Sequence, residues 1–219
     1  ETLLSQSGIK PESPVVIYSG MNNLLATYAF WQMKIFGHAD VRLLDGDRQR
    51  WIDENLPTTG DTPNVTSTSY QAREPDWGIR ADREDVLHSI NKAAHLFVDT
   101  RTVEMYQGLD KSSGARGGHI PGAFNLPARR EMNADGSFKA WQVQTVRQDG
   151  TFKSADELKA LFSNAGVTPN KEITLYCVRG GLSTHAWFVL TQLLGYSRVR
   201  EYDRSWLEWG NTEGMPIEL

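Results

Sequence analysis

The sequence is poor in cysteine, with Cys177 the only one among its 219 residues. A single cysteine excludes an intrachain disulfide and any metal site built from several thiolates. The five histidines are scattered without the spacing of metal ligands, so no metal site is predicted. The fold is therefore expected to rest on its hydrophobic core.

Long apolar runs and a strong excess of one charge are also missing. No stretch approaches the roughly 18 consecutive apolar residues of a membrane-spanning helix, so no membrane partner is predicted. The formal net charge is -4 and no dense run of Lys and Arg occurs, which argues against nucleic acid as a partner. No signal peptide stands at residue 1, and this favours a cytoplasmic location.

Strand-like and helix-like segments alternate along the chain. Residues 15–18 (VVIY) and 41–44 (VRLL) are mostly apolar and are predicted as strands, with a helix between them at about 23–36. Further strands are predicted at 96–99 and at 173–176, the second leading into Cys177. Alternation of this kind predicts an α/β fold in which helices flank a parallel sheet. Residues 128–153 form a long polar segment in which no strand or helix is predicted.

The predicted strands divide unevenly between two parts of the chain. Residues 1–56 offer two strands, residues 57–76 have the Pro, Gly, Thr and Asn content of a linker, and residues 77–219 offer about five strands. Two parallel strands cannot bury their helices alone. The first part is therefore interpreted as the back half of a domain, whose front half another chain, a swapped partner or a removed segment would supply. Removal of a leader would leave a periplasmic location open.

Cys177 lies between an apolar strand and a helix-like segment. The intervening loop, residues 178–182, is polar and contains Gly180 and Gly181, and Ser183 and Thr184 follow as a predicted helix cap. A thiol at a helix N-terminus faces free N–H groups and the positive end of the helix dipole, which favour the thiolate. The alternative is a buried cysteine that acts as a small apolar side chain. The polar, glycine-rich loop favours the reactive thiol.

Four motifs in this order resemble the rhodanese (thiosulfate sulfurtransferase) superfamily, and specifically its tandem-domain enzymes. They are VDTR at 98–101, GHIPGA at 118–123, YCVRGGLSTH at 176–185 and VREYDRSWLEW at 199–209. Residues 18–23, YSGMNN, resemble the active loop of an inactive repeat because no cysteine is present there. The resemblance implies a complete catalytic domain at the C-terminus, preceded by the second half of a non-catalytic rhodanese domain.

The resemblance implies sulfur transfer through a persulfide on Cys177, without a metal or another cofactor. A small anionic donor such as thiosulfate would load the sulfur, and cyanide or another thiol would accept it. Arg179 would bind the donor, since a guanidinium pairs well with a sulfonate-like dianion. The other residues expected to bind substrate are Val178, Gly180, Gly181, Leu182, Ser183, Arg116 and Trp206. Those expected to support the site are Asp99, Arg101, His119, His185 and Asp203.

Two departures from the family pattern leave alternatives open. Leu182 and Met105 stand where relatives carry substrate-binding residues, so 3-mercaptopyruvate as donor and a sulfur-relay or binding module both remain alternatives. A phosphatase of the related dual-specificity type would need Arg at position 183, where this sequence has Ser183. The physiological donor and acceptor and the oligomeric state stay open.

Overall fold

The computed structural model describes residues 1–219, and short strands alternate with helices along most of the chain. The helices are α1 (Thr2–Gln6), α2 (Leu24–Ile35), α3 (Arg48–Asp53), α4 (Arg83–Ser89), α5 (Val103–Tyr106), α6 (Ala155–Asn164), α7 (Ser183–Phe188) and α8 (Ser205–Trp209). The strands are β1 (Val15–Ile17), β2 (Val41–Leu43), β3 (His95–Asp99), β4 (Phe124–Asn125), β5 (Arg129–Met132), β6 (Phe138–Gln142), β7 (Glu172–Tyr176) and β8 (Val199–Glu201). No helix is both long and apolar enough to cross a bilayer.

The main sheet is parallel, with strand order β4-β3-β7-β8, and β1 and β2 form a separate parallel pair. The α/β fold with a parallel sheet between helices is therefore confirmed. β7 is central and buried along most of its length, which explains its continuous apolar run. The register of β3 and β7 sets Asp99 beside Tyr176. The loops that follow these two strands consequently begin at the same edge of the sheet.

The polar segment 128–153, in which the sequence indicates no strand or helix, contains two strands. β5 and β6 form an antiparallel hairpin there, with a turn in which Gly136 has a φ of 80°. The charged residues of both strands hide the alternation that normally indicates a strand, because most of these side chains are exposed or half-exposed. The hairpin matters because its Trp141 packs in the same cluster as Cys177, and a local sequence pattern does not reveal this contact.

The helix after Cys177 changes its type along its length. Its α-helical part ends at Phe188 and continues as a π-helix over Val189–Leu193. Tyr196 N–H donates to the Leu190 carbonyl at 2.8 Å, and Gly195 turns the chain with a φ of 71°, as expected of a helix stop. The wide turn keeps Val189 and Leu190 fully buried against the sheet.

The first part of the chain packs into the same core as the second. Phe30 on α2 meets Phe188 on α7 edge to face, with ring centroids 4.9 Å apart. Trp31 and Ile35 join the cluster that contains Leu175 of the central strand. The stretch predicted as a linker is anchored as well, since Tyr70 is buried and its hydroxyl lies 2.9 Å from Nδ1 of His38. The two parts therefore share one hydrophobic core.

The shared core predicts the effect of truncating Phe30. Phe30→Ala removes a buried ring from the contact between α2 and α7, so we expect the free energy of unfolding to fall by about 3 kcal/mol. Leu25→Ala on the exposed side of the same helix should change it by less than about 0.5 kcal/mol. Urea denaturation measures both values. Two separate transitions in the unmodified protein would contradict a single core.

Candidate active site

Cys177 follows the last residue of β7 and opens the loop at the carboxyl edge of the sheet. The start of α8 holds the loop in place. Cys177 N–H donates to Ser205 Oγ at 3.1 Å, while the carbonyls of Cys177 and Val178 accept from the N–H groups of Trp206 and Leu207. Ser205 is fully buried and has a φ of 54°, a left-handed conformation that is costly for serine. Sequence reasoning did not identify Ser205.

The N–H groups of residues 178–183 donate to no acceptor in the protein. Gly180 has a φ of 85°, which a residue with a Cβ rarely adopts, whereas Gly181 does not need positive φ. An added Cβ on Gly180 would also lie 3.2 Å from the Cα of Asp203. The loop is thus a curved row of free donors, the arrangement that binds anions.

The expected cap of α7 by Ser183 or Thr184 is wrong. The helix begins after Leu182, which has no polar side chain, and no side-chain cap is present. Thr184 Oγ1 donates to the Gly181 carbonyl at 3.2 Å, and Ser183 Oγ lies 3.2 Å from the Gly180 carbonyl. Both hydroxyls therefore brace the loop carbonyls. The first N–H groups of the helix remain available to a ligand at the thiol.

An apolar cluster covers the thiol, and Cys177 is only 2% exposed. Leu24 comes from α2, Trp141 from β6, and Leu182 from the loop itself; Met21, Ala128 and Val143 complete the cluster. A cavity of about 20 Å³, room for one water, shares Ala128 and Leu182 with it. The first part of the chain and the hairpin thus control access to Cys177, which the sequence did not indicate.

A strained turn holds Met21 in this cluster. Met21, Asn22 and Asn23 have φ values of 55°, 56° and 61°, which makes three consecutive left-handed residues. Asn22 donates to the Trp141 carbonyl at 2.8 Å, and its N–H donates to Asp47 at 3.0 Å. Left-handed conformations are tolerated by asparagine but costly for methionine, so the surrounding hydrogen bonds must over-determine the turn.

The expected substrate-binding residues lie in different environments. Arg179 is exposed, forms no hydrogen bond with its side chain, and lines an open groove with Arg204, Leu207 and Glu208. Its guanidinium is therefore free to meet an anion at the mouth of the loop. Val178 lies in the loop and is only partly exposed.

The structure contradicts a substrate-binding role for Arg116. Its guanidinium donates to four backbone carbonyls near the C-terminus, those of Trp209, Gly210, Thr212 and Met215. These bonds attach the final segment to the domain. The sequence does not reveal these partners, because they are backbone carbonyls that no sequence pattern marks.

Trp206 does not line an open pocket either. It is 1% exposed, and its indole N–H donates to the Arg116 carbonyl at 3.1 Å. The Arg101 guanidinium lies 4.1 Å from the centroid of its ring. Because the side chain is enclosed, Trp206 supports the loop through its backbone N–H and its packing.

The residues expected to support the site are mostly buried and paired. Arg101 and Asp99 form a fully buried ion pair at 2.6 Å, and Arg101 also donates to the Gly118 carbonyl at 2.7 Å. Asp203 accepts from Arg80 at 2.7 Å. His119 stacks on Tyr106, with Nδ1 2.9 Å from the Tyr106 carbonyl.

His185 is buried beside the apolar cluster that surrounds Cys177. Nδ1 lies 3.2 Å from Thr145 Oγ1, and Phe152 packs against the ring. Nε2 has no hydrogen-bond partner. Burial lowers the pKa of His185 from 6.5 to about 4, so the imidazole is neutral at physiological pH.

Glu201 is a buried carboxyl beneath the loop that the sequence did not single out. One oxygen contacts Ser183 Oγ, and the other is buried without a partner. Its pKa is raised well above its usual value, first by burial and then by the nearby Cys177, whereas the bond from Ser183 acts in the opposite direction. In β8 it lies on the same buried face as Val199, where a charged residue is not expected from its type.

Comparison with known proteins now identifies the chain. A family model described as "Rhodanese-like domain" matches residues 82–212, so the chain belongs to the rhodanese-like family. It is 40% identical to a protein of Saccharopolyspora erythraea named "Putative thiosulfate sulfurtransferase", covering all of this chain and 74% of that protein. It is 42% identical to "Sulfur carrier protein TtuD" of Thermus thermophilus, covering 98% of this chain and 74% of that protein. These names support sulfur transfer or sulfur relay as the class of activity.

Solved structures share the fold of this chain. An anaerobic ergothioneine biosynthesis enzyme from Chlorobium limicola, in complex with trimethyl histidine, matches 99% of this chain with a TM-score of 0.83 and 24% identity. A variant of EanB in complex with ergothioneine has a TM-score of 0.85 at 24% identity over the whole chain. This chain covers 53% of the first structure and 54% of the second, about half of each. At this identity the likeness establishes the fold alone.

The buried His185 predicts a loss of stability in acid. Its folded pKa of about 4 lies below the unfolded value of 6.5, so the unfolded chain binds the proton first as the pH falls. This contribution, roughly 3 kcal/mol, is present above pH 6.5 and is lost toward pH 4. Urea unfolding across this range should show the decline.

The His185→Gln variant, which cannot bind this proton, should lack that part of the decline. His88→Gln, at an exposed histidine of α4, is the matched control and should keep it. An equal decline in wild type and in His185→Gln would show that another group is responsible.

Proposed function

We propose that the protein is a sulfurtransferase that carries sulfur as a persulfide on Cys177, with thiosulfate as donor. The observation that supports this most directly is the row of free N–H groups at residues 178–183 around the only cysteine. Such a cradle stabilises the thiolate and the persulfide anion without reorganising during the reaction. No cofactor is required, because the sulfur is held on the protein itself.

The proposed reaction has two displacements. The Cys177 thiolate attacks the outer sulfur of thiosulfate. The bond between the outer sulfur and the sulfonate sulfur breaks, and sulfite leaves with the electron pair. The persulfide then awaits an acceptor. A nucleophile such as cyanide or a thiolate attacks the terminal sulfur, the Cys177 thiolate leaves, and the enzyme is restored.

Arg179 is proposed to receive the donor at the mouth of the loop. Its guanidinium is unpaired and exposed, and it can form two hydrogen bonds to the oxygens of a sulfonate group. Arg116 cannot assist, because backbone carbonyls take up its donors. The donor would therefore depend on Arg179 and on the N–H groups of the loop.

A protein sulfur relay is the second candidate. The apolar cluster around Cys177 contains no cation, so Arg179 is the cationic side chain of the loop that could bind a small dianion. A persulfide or thiol delivered on a protein segment would suit such a cluster, and one relative is named a sulfur carrier protein. The partner in that case would be a protein that donates sulfur from a persulfide or accepts it on a thiol.

Intact mass after incubation with thiosulfate tests the proposed function. We expect a gain of one sulfur atom, removed again by cyanide, because the persulfide is a stable intermediate between two displacements. Cys177→Ser, which has no thiol, should show no gain. A folded wild-type protein that gains no sulfur from thiosulfate, yet gains it from a protein persulfide, would favour the relay.

Arg179→Gln tests the binding of the anionic donor. Loss of one charge-assisted contact should raise KM for thiosulfate by about tenfold, with a smaller effect on the cyanide step. Arg42→Gln, at a remote exposed residue paired with Asp40, is the control. An unchanged KM in Arg179→Gln would place donor binding elsewhere.

A further inference from the structure

Glu201 is the buried ionisable group of the site that the proposed chemistry leaves unused. Its side chain is completely buried on β8, and no cation lies within ion-pair distance of it. Arg80 forms a parallel β-bridge with Glu201 through the backbone, but its guanidinium donates to Asp203 at 2.7 Å. A buried carboxylate without a counter-ion is very costly, so burial favours the neutral acid.

The contacts of Ser183 leave room for a neutral Glu201 to act as a donor. Its hydroxyl lies 3.2 Å from the Gly180 carbonyl and in short contact with one oxygen of Glu201. Both contacts need a hydrogen, and a hydroxyl has only one. If the Ser183 hydrogen points to Gly180, Glu201 must supply the other, and a carboxyl can do so only when it is protonated.

We propose that Glu201 is a positioning residue for sulfur transfer at Cys177: its neutral carboxyl fixes Ser183, and Ser183 fixes the curve of the loop that receives the anionic sulfur. This inference rests on the proposed function. An ionised Glu201 would release Ser183 from Gly180 and would add a negative charge below a cradle built for an anion. The residue therefore has to keep its proton while the enzyme works.

Several other groups face this part of the loop. The charged or titratable ones are Cys177 at the end of β7, Asp203 after β8, Arg80 paired with it, His185 on α7 and Tyr28 of α2 beside Gly180. His185 is already neutral, because burial lowers its pKa to about 4. The negative charges of Cys177 and Asp203 both oppose ionisation of Glu201.

The test compares two alkylating reagents on Cys177 between pH 6 and pH 10. Neutral iodoacetamide and anionic iodoacetate attack the same thiolate, so the ratio of their rates cancels the thiolate fraction and reports the local charge. In wild type we expect the iodoacetate-to-iodoacetamide ratio to stay level at every pH at which Glu201 keeps its proton. The ratio should fall, by about fivefold or more, only where Glu201 ionises, because the new charge repels the anion. The test needs no sulfur donor, so its result does not depend on thiosulfate activity.

Glu201→Gln separates charge from structure. Gln is neutral at every pH and can donate to Ser183, so both alkylation rates at pH 6.5 should stay within about twofold of wild type and the ratio should not fall. Glu201→Leu, which cannot donate, should slow both reagents. Glu172→Gln, at the far end of β7, should behave like wild type. A ratio that falls equally in Glu201→Gln, or a wild-type ratio that has already completed its fall below pH 7, would overturn the proposal.

A second measurement needs only the wild-type protein. ¹³C NMR of protein labelled in the glutamate carboxyls should show the Glu201 carbon in its neutral form at pH 7. An ionised Glu201 at that pH would overturn the proposal even if the variants fail to fold. If Glu201 is neutral but thiosulfate loads no sulfur, the proposed donor is wrong and the positioning role stands.

Discussion

The loop at Cys177 is held through its carbonyl groups, and the rest of the site depends on this. α8 donates to the carbonyls of Cys177 and Val178, and the hydroxyls of Ser183 and Thr184 brace those of Gly180 and Gly181. Every N–H group from 178 to 183 is left without a partner in the protein. A rigid loop with free donors can stabilise an anion on sulfur without reorganisation.

The first part of the chain contributes to the site as well as to the core. Its helix α2 packs on α7, and this contact carries Leu24 and the strained turn at Met21 over the thiol. The hairpin β5–β6 closes the other side with Trp141. The surroundings of Cys177 thus depend on two segments that are distant from it in sequence.

Two buried carboxyls near the loop are stabilised in different ways. Asp99 is paired with Arg101 at 2.6 Å, and that pair fixes the loop after β3 next to Gly118. Glu201 has no cation and relies on a hydroxyl, which favours its neutral form. Positive charge at the site therefore lies at its mouth, on Arg179, and the interior offers N–H dipoles.

The sequence by itself determined the alternation of strands and helices, the place of Cys177 after a buried strand, and the rhodanese resemblance, because these rest on local periodicity and contiguous motifs. It also indicated that Asp99 and Arg101 belong together, since they are two residues apart. Only the tertiary structure decided that Arg116 holds the C-terminal segment, that Trp206 is enclosed, and that Ser205 and Glu201 brace the loop. Those roles arise from contacts between residues far apart in the chain, and the identity of a side chain does not reveal which distant carbonyl or hydroxyl will meet it.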